Sequence, residues 1–397
     1  MSRLNQINRR KFLLGGLAVA GAGSVFHATS SSAIGTAPRA IGIADFVFGV
    51  GADDGAVLAM NGWTGEVVHK LNSPIEIVSL FANRTAERIV GVDQQAGKIA
   101  VFQNPGVLPN AEPIVYDTIV SPDLFTFAPD GRHAVYADFG AGELVLLDII
   151  EGKTVRSFRG FDGVHDIRFS GLTGLLTVTT LDRPDVRTVD TETGETGTLV
   201  SIADPEGRGI DHMSQTLSGR TGIIIQPGIA DAYFVRISER GGEPFRAIRL
   251  SSPPLRAFIS FDNRYAVLPS TQEPILDIVD LDTLQHVKTL EVPGLVTTMQ
   301  TDPVSPHMVG ITPDEGAVVT LNTRSHEIVS LDLPAGGADL LALNEESGLA
   351  FLLGESGTQA PDIMPVRSPG TKPNWEASPL RQPVWTVTST NALAVCH

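Results

Sequence analysis

Two adjacent pairs hold the residues best suited to chemistry: His165-Asp166 in Gly163-Val164-His165-Asp166, and Asp211-His212 in Gly209-Ile210-Asp211-His212. Two imidazoles with one or two carboxylates form a donor set for a borderline divalent ion, zinc foremost. His165, Asp166, Asp211 and His212 are therefore the candidate metal ligands. The histidines stand 47 residues apart, too far for one element, so they meet only if a repeated fold brings the chain back to the same place. A structural role suits them equally. A loop histidine often hydrogen-bonds within its own unit, and Asp at a turn is ordinary backbone chemistry.

Other chemistries find no support. The sequence has no Gly-x-Ser-x-Gly elbow, His-Glu-x-x-His pair, P-loop, EF-hand loop or complete Gly-x-Gly-x-x-Gly fingerprint. It has no Cys-x-x-Cys-His, and its one cysteine, Cys396, cannot form an internal disulfide. Three Trp and four Tyr make a thin platform for stacking a quinone or a sugar. No catalytic residue is assigned.

The element that must position the two pairs is legible as a repeat. Val145-Leu146-Leu147-Asp148-Ile149-Ile150-Glu151-Gly152-Lys153-Thr154-Val155 reads as a strand, an acidic turn with Gly, and a second strand. Similar units start near Val57, Thr188 and Ile278. Registers at Leu58, Ile99, Leu144, Val186, Tyr233, Asp277 and Val318 are separated by 41, 45, 42, 47, 44 and 41 residues. Another hairpin precedes each unit, as in Leu124–Tyr136 with Asp130-Gly131 at its turn. No unit shows a 3.6-residue period. Short strands at a period in the low forties predict an all-β fold, a β-propeller of four-stranded antiparallel blades. Seven blades are expected, and the length also permits eight. The tail offers strands at Leu340–Leu343, Leu349–Leu353, Ile363–Val366 and Val384–Thr388 and is expected to close the ring by completing the first blade, which lacks its innermost strand, with residues 355–383 as a long surface loop.

On these hairpins and the Pro129-Asp130-Gly131-Arg132 turn, residues 46–333 resemble the YVTN-type propellers, relatives of the amine-dehydrogenase and cytochrome d1 propellers. The resemblance implies the fold and leaves the chemistry open.

In such a blade, with strands a to d from the axis outward, the d–a and b–c loops emerge on one face around the channel. The d–a set holds Glu76, Asp123, His165-Asp166, Asp211-His212, Arg256 and Asp339. The b–c set holds Asp53, Asp54, Asp93, Asp138, Asp182, Asp185, Asp231, Glu273, Asp314 and Glu315. The face is expected to be acidic and to concentrate cations. Arg256 is expected to neutralise part of it or to grip a carboxylate ligand. His133 and His307 fall at the opposite end; His69, His286 and His326 fall on outer hairpins.

The N-terminus carries Asn8-Arg9-Arg10-Lys11-Phe12-Leu13 before a glycine-diluted apolar stretch. This resembles a twin-arginine (Tat) export signal, with Asn8 where Ser or Thr is usual. The apolar run is shorter than the ~20 residues of a membrane-spanning helix, and small residues after it offer cleavage sites. The resemblance implies a signal over about residues 1–37, a single domain over 38–397, export to the periplasm as a folded protein, and no stable membrane insertion after cleavage. Net charge is −16. Losing residues 1–33 would remove four cations and no acid, giving −20. That charge excludes nucleic acid as a partner and favours metal ions or a basic protein. A monomer is expected.

The resulting expectation is an exported propeller that binds a divalent metal in metallochaperone fashion. Three alternatives accompany it: a propeller that holds a non-covalent redox cofactor of d1-haem or amine-dehydrogenase type through His165 or His212, a lactonase-like hydrolase, and a protein-interaction scaffold.

Overall fold

The computed structural model describes residues 46–395 except 51–54, 64–66, 83–87, 104–110, 205, 333–339, 345–347, 354–361 and 366–392. The signal expected over 1–37, most of the loop expected over 355–383, and Cys396 lie outside the described residues. Among the described residues every element is a strand except a 3-10 turn at Pro313–Glu315.

Seven four-stranded sheets and one sheet of three described strands build the propeller, and every pairing is antiparallel. Sheets two to seven each run a to d in chain order, with inner strands Ser79–Ala82, Leu124–Phe127, Val164–Phe169, His212–Gln215, Phe258–Ile259 and Thr298–Thr301. Sheet one takes Phe46–Val50, Val57–Asn61 and Val67–Leu71 from the start of the domain and its inner strand, Leu393–Val395, from the end. The tail thus closes the first blade, as the missing strand there implied. Leu340–Asn344, Leu349–Leu353 and Asp362–Pro365 form a sheet of their own between the seventh and the first. That third strand, Asp362–Pro365, overlaps the run at Ile363–Val366 inside the stretch otherwise expected to be loop.

The repeat has a plain physical cause. Most c strands sit mid-blade with both faces covered and so read as largely apolar runs, as in Glu143–Asp148 with five of six residues buried. On sheets three, four and six an Asp at or just after the end of this strand accepts the amides of the turn. Asp148 Oδ1 takes Ile150 and Glu151 N at 2.9 and 3.0 Å. Asp190 and Asp280 take the corresponding amides of their turns at 2.8–3.0 Å. Outer d strands face solvent; Gln285–Glu291 has six exposed residues of seven.

The apolar core is divided among the junctions, with a buried cluster between each pair of neighbouring sheets. Between sheets three and four it joins Leu124, Val135, Leu144 and Phe158 to Val164, Ile167, Leu176 and Val178. Between sheets eight and one it comprises Val47, Met60, Ala342 and Phe351. The inner strands are held from both sides, giving a rigid rim on which the charged residues sit.

Candidate metal-binding site

The a–b turns align the inner strands with one another. The amides of Ser170, Thr216 and Ser260 close these turns on sheets four, five and six. Four residues upstream of them stand Asp166, His212 and Arg256. One residue earlier stand His165 on sheet four and Asp211 on sheet five. Equivalent backbone positions on consecutive blades therefore deliver a carboxylate, an imidazole and a guanidinium to one end of the channel.

Local backbone features aim them. Val164 pairs with Thr180 and Asp166 with Thr179, so His165 is the extra residue of a β-bulge. A bulge redirects the side chain it carries, and His165 turns toward the neighbouring sheet. Asp211 is fixed through its backbone: its amide donates to Ile225 O at 2.9 Å, and its carbonyl accepts Thr179 Oγ1 from sheet four at 3.1 Å. Gly209 lets this loop lie on sheet four, because a Cβ there would occupy the backbone of Leu181.

Three of the four candidate ligands converge. His165 Nε2 lies 2.5 Å from Asp211 Oδ1, and His212 Nε2 lies 3.7 Å from the same oxygen. The two imidazole centroids are 5.3 Å apart. One ligand atom from each of His165, Asp211 and His212 falls within 4.8 Å of the others. Asp166 stands apart from this group. Its Oδ2 accepts Arg168 Nε at 2.9 Å and faces the other nitrogen of His212, Nδ1, at 3.5 Å. Arg256 approaches that same Nδ1 with Nη2 at 3.5 Å.

Burial grades the cluster. Asp166, His212 and Arg256 are buried, whereas the side chains of His165 and Asp211 keep 18 and 21% of their surface exposed, so a solute ion can reach them. Burial opposes the charge on Asp166, but the Arg168 guanidinium, the His212 hydrogen bond and Arg256 outweigh it and hold the carboxyl far below its ordinary range. Burial likewise opposes Asp211, and the hydrogen bond from His165 with the charge of His212 brings it below its usual value. Burial and then Arg256 push the His212 imidazole down. Burial, with Arg168 nearby, lowers Arg256 to about 10.

Much of the remaining acidic face is occupied in holding turns. Asp138 accepts the amides of Gly140 and Ala141 at 2.6 Å and that of Ser121 at 3.1 Å. Asp93 accepts Ala96 N, Asp185 pairs with Arg183 and Asp231 with Arg249. Asp53, Asp54 and Asp339 lie outside the described residues. Arg168 escaped the sequence reading; its signal was position i+2 from Asp166, the same face of one strand. Phe139, its ring 6.3 Å from that of His165, gave no signal. On the outer hairpins, His286 is tied to Asp277 at 2.9 Å.

No family model matches the sequence, and no curated protein matches it. Solved structures do. A dihydro-heme d1 dehydrogenase, NirN, in complex with DHE is 16% identical, with a TM-score of 0.69 over 84% of this chain and 74% of its own. Kuenenia stuttgartiensis hydrazine synthase is 12% identical, with a TM-score of 0.55 over 73% of this chain and 95% of its own. The Cps50 (Swd1) β-propeller domain of Myceliophteria thermophila is 16% identical, with a TM-score of 0.52 over 68% of this chain and 90% of its own. At these identities the likeness establishes the propeller and carries no chemistry.

Proposed function

We propose that this protein is an exported propeller that binds a divalent metal ion through His165, Asp211 and His212. The observation that carries the reading is their convergence: three donors from two blades, 47 residues apart at the extremes, within 4.8 Å of one another. A tetrahedral centre with bonds of about 2.0–2.1 Å needs donors roughly 3.3 Å apart. Two of the three separations, 2.5 and 3.7 Å, bracket that value, and the third lies within 4.8 Å, so the two imidazoles need to draw together by at most about 1.5 Å. Three protein ligands leave a position open, the pattern of a site that exchanges its ion or presents it to a second ligand. The nitrogen-rich donor set suits Zn²⁺, Co²⁺ or Ni²⁺ and does not choose among them.

Titration with Co²⁺ and Zn²⁺, followed by elemental analysis after desalting, tests the reading. One equivalent should remain on the unaltered protein and none on the His165→Ala, His212→Ala double variant. An unaltered protein that retains no metal, or a double variant that retains it, overturns the assignment. Export rests on Arg9 and Arg10; replacing both with lysine should leave the precursor inside the cell, and periplasmic precursor in that variant would refute it.

A second reading draws on NirN, whose solved complex holds DHE. The part-exposed His165 beside the Phe139 ring would then supply an imidazole to a planar redox cofactor. Visible absorption of protein purified from its native host decides it: colour that copurifies at about one equivalent supports the cofactor, and a colourless protein that takes up Co²⁺ returns to the metal.

A further inference from the structure

We infer that Asp166 is a positioning residue and no ligand: it holds His212 in the one tautomer that can bind the metal. The inference rests on the metal reading and deepens it.

An imidazole ring has two nitrogens, and in the neutral form only one carries a lone pair. His212 turns Nε2 toward Asp211 and Nδ1 toward Asp166 and Arg256. Those two neighbours impose opposite demands on Nδ1. A carboxylate accepts, so Asp166 requires the proton on Nδ1, which leaves the Nε2 lone pair for the ion. A guanidinium only donates, so Arg256 requires the lone pair on Nδ1, which puts the proton on Nε2 and closes the site. Both stand 3.5 Å away, so distance does not decide between them.

Two features favour Asp166. Arg168 anchors its carboxylate at 2.9 Å on the first rungs of a packed strand, where Asp166 pairs with Thr179. A metal at Nε2 also draws electron density through the ring and strengthens donation from Nδ1 to a carboxylate, the support that metal-bound histidines commonly have. At the other end of the ring, Asp211 Oδ1 is already engaged by His165 at 2.5 Å and is a poor acceptor for an Nε2 proton 3.7 Å away. The arrangement thus contains one residue that opens the site and one that opposes it, on the two blades that flank sheet five.

This predicts shifts of opposite sign. Asp166→Asn should weaken Co²⁺ binding about 10–100-fold. Arg256→Met should tighten it, because it removes both the competing donor and a nearby positive charge. Loss of packing would weaken binding in both variants. Nitrogen-15 spectra of histidine-labelled protein provide a readout that needs no metal: His212 should carry its proton on Nδ1 in the unaltered chain and shift toward Nε2 in Asp166→Asn. Affinities that move together or stay fixed, or an Nε2 proton in the unaltered chain, overturn the role of Asp166 alone. Failure of the unaltered protein to bind Co²⁺ overturns the metal reading and this inference with it.

Discussion

Sheets three and five bring nearly the same backbone to the channel rim and use it differently. Counted back from the a–b turn, the two rim positions hold Asp123 and Leu124 on sheet three, and Asp211 and His212 on sheet five. Asp123 gives both oxygens to its own loops, one to Ser121 Oγ at 3.0 Å and one to Phe139 N at 3.1 Å. Leu124 is buried among Val135, Val164 and Ile167. Asp211 instead reaches His165 on the neighbouring sheet, and His212 lies between two charged groups. Sheet four behaves like sheet five at His165, whose Nε2 meets Asp211, while Asp166 is anchored by Arg168 of its own strand and also faces His212. A blade position fixes where a side chain points; a site arises where the polar atoms are not consumed by their own sheet.

The largest test of this contrast is to give sheet three the acid of sheet four. Leu124→Asp places a carboxylate at a rung with 1% exposure, with no counterpart to the Arg168 that serves Asp166 (Thr126 holds that place on sheet three). An unpaired buried charge costs about 3–5 kcal/mol, so thermal unfolding should show a severe loss or no cooperative transition. Near-native stability would mean that this rung tolerates charge on any blade, and the arrangement on sheets four to six would lose its significance.

A second pair of variants separates binding from scaffolding. Asp211→Asn keeps the shape and removes a ligand charge, and it should weaken Co²⁺ binding by more than the about 10–100-fold expected from losing a supporting partner. Asp123→Ala leaves the Phe139 amide without its acceptor and should cost about 1–3 kcal/mol of stability while Co²⁺ affinity holds. If Asp123→Ala weakens binding as much as Asp211→Asn does, the boundary between the two sheets is drawn in the wrong place.

How much of this could be read without coordinates follows from range. The c–d hairpins were legible because Asp148, Asp190 and Asp280 cap amides two and three residues ahead, a local interaction written in consecutive letters. His165 and His212 were found because the repeat aligned them. The closing strand Leu393–Val395 could be inferred from the gap in the first blade, but not located, since three residues with no turn motif carry no period. The eighth sheet is less legible because its strands follow no copy of the acidic hairpin. The division of the acidic face was hidden for another reason. Asp138 and Asp211 are the same letter, and only the loop amides around Asp138 and the imidazole across from Asp211 set them apart. The separation of Asp166 from the other donors depends on which end of the His212 ring faces it, a matter of side-chain rotation.

Acid should sharpen the contrast by the smallest amount, and the sign follows from proton counting. His212 is held below its ordinary 6.5 by burial and by Arg256. The unfolded chain therefore binds a proton below about pH 6.5 that the fold resists, and stability falls as pH drops from there toward the folded value. Asp166 and Asp211 are held below 3.8 against the opposing effect of burial. Their contribution is complete above that value and is lost as pH falls beneath it. Each proton sets a limit of about 1.4 kcal/mol per pH unit. Stability should thus decline gently between pH 6.5 and 5 and more steeply below about 4. His307 and His326, lowered mainly by burial, add to the first slope, so the informative quantity is a difference. Urea unfolding at several pH values should show His212→Gln losing one proton's share of the upper slope while it keeps the lower one. An upper slope that this variant leaves unchanged would place the His212 ring in solvent at the rim, and the sheet-five rim would then be no more enclosed than an ordinary loop.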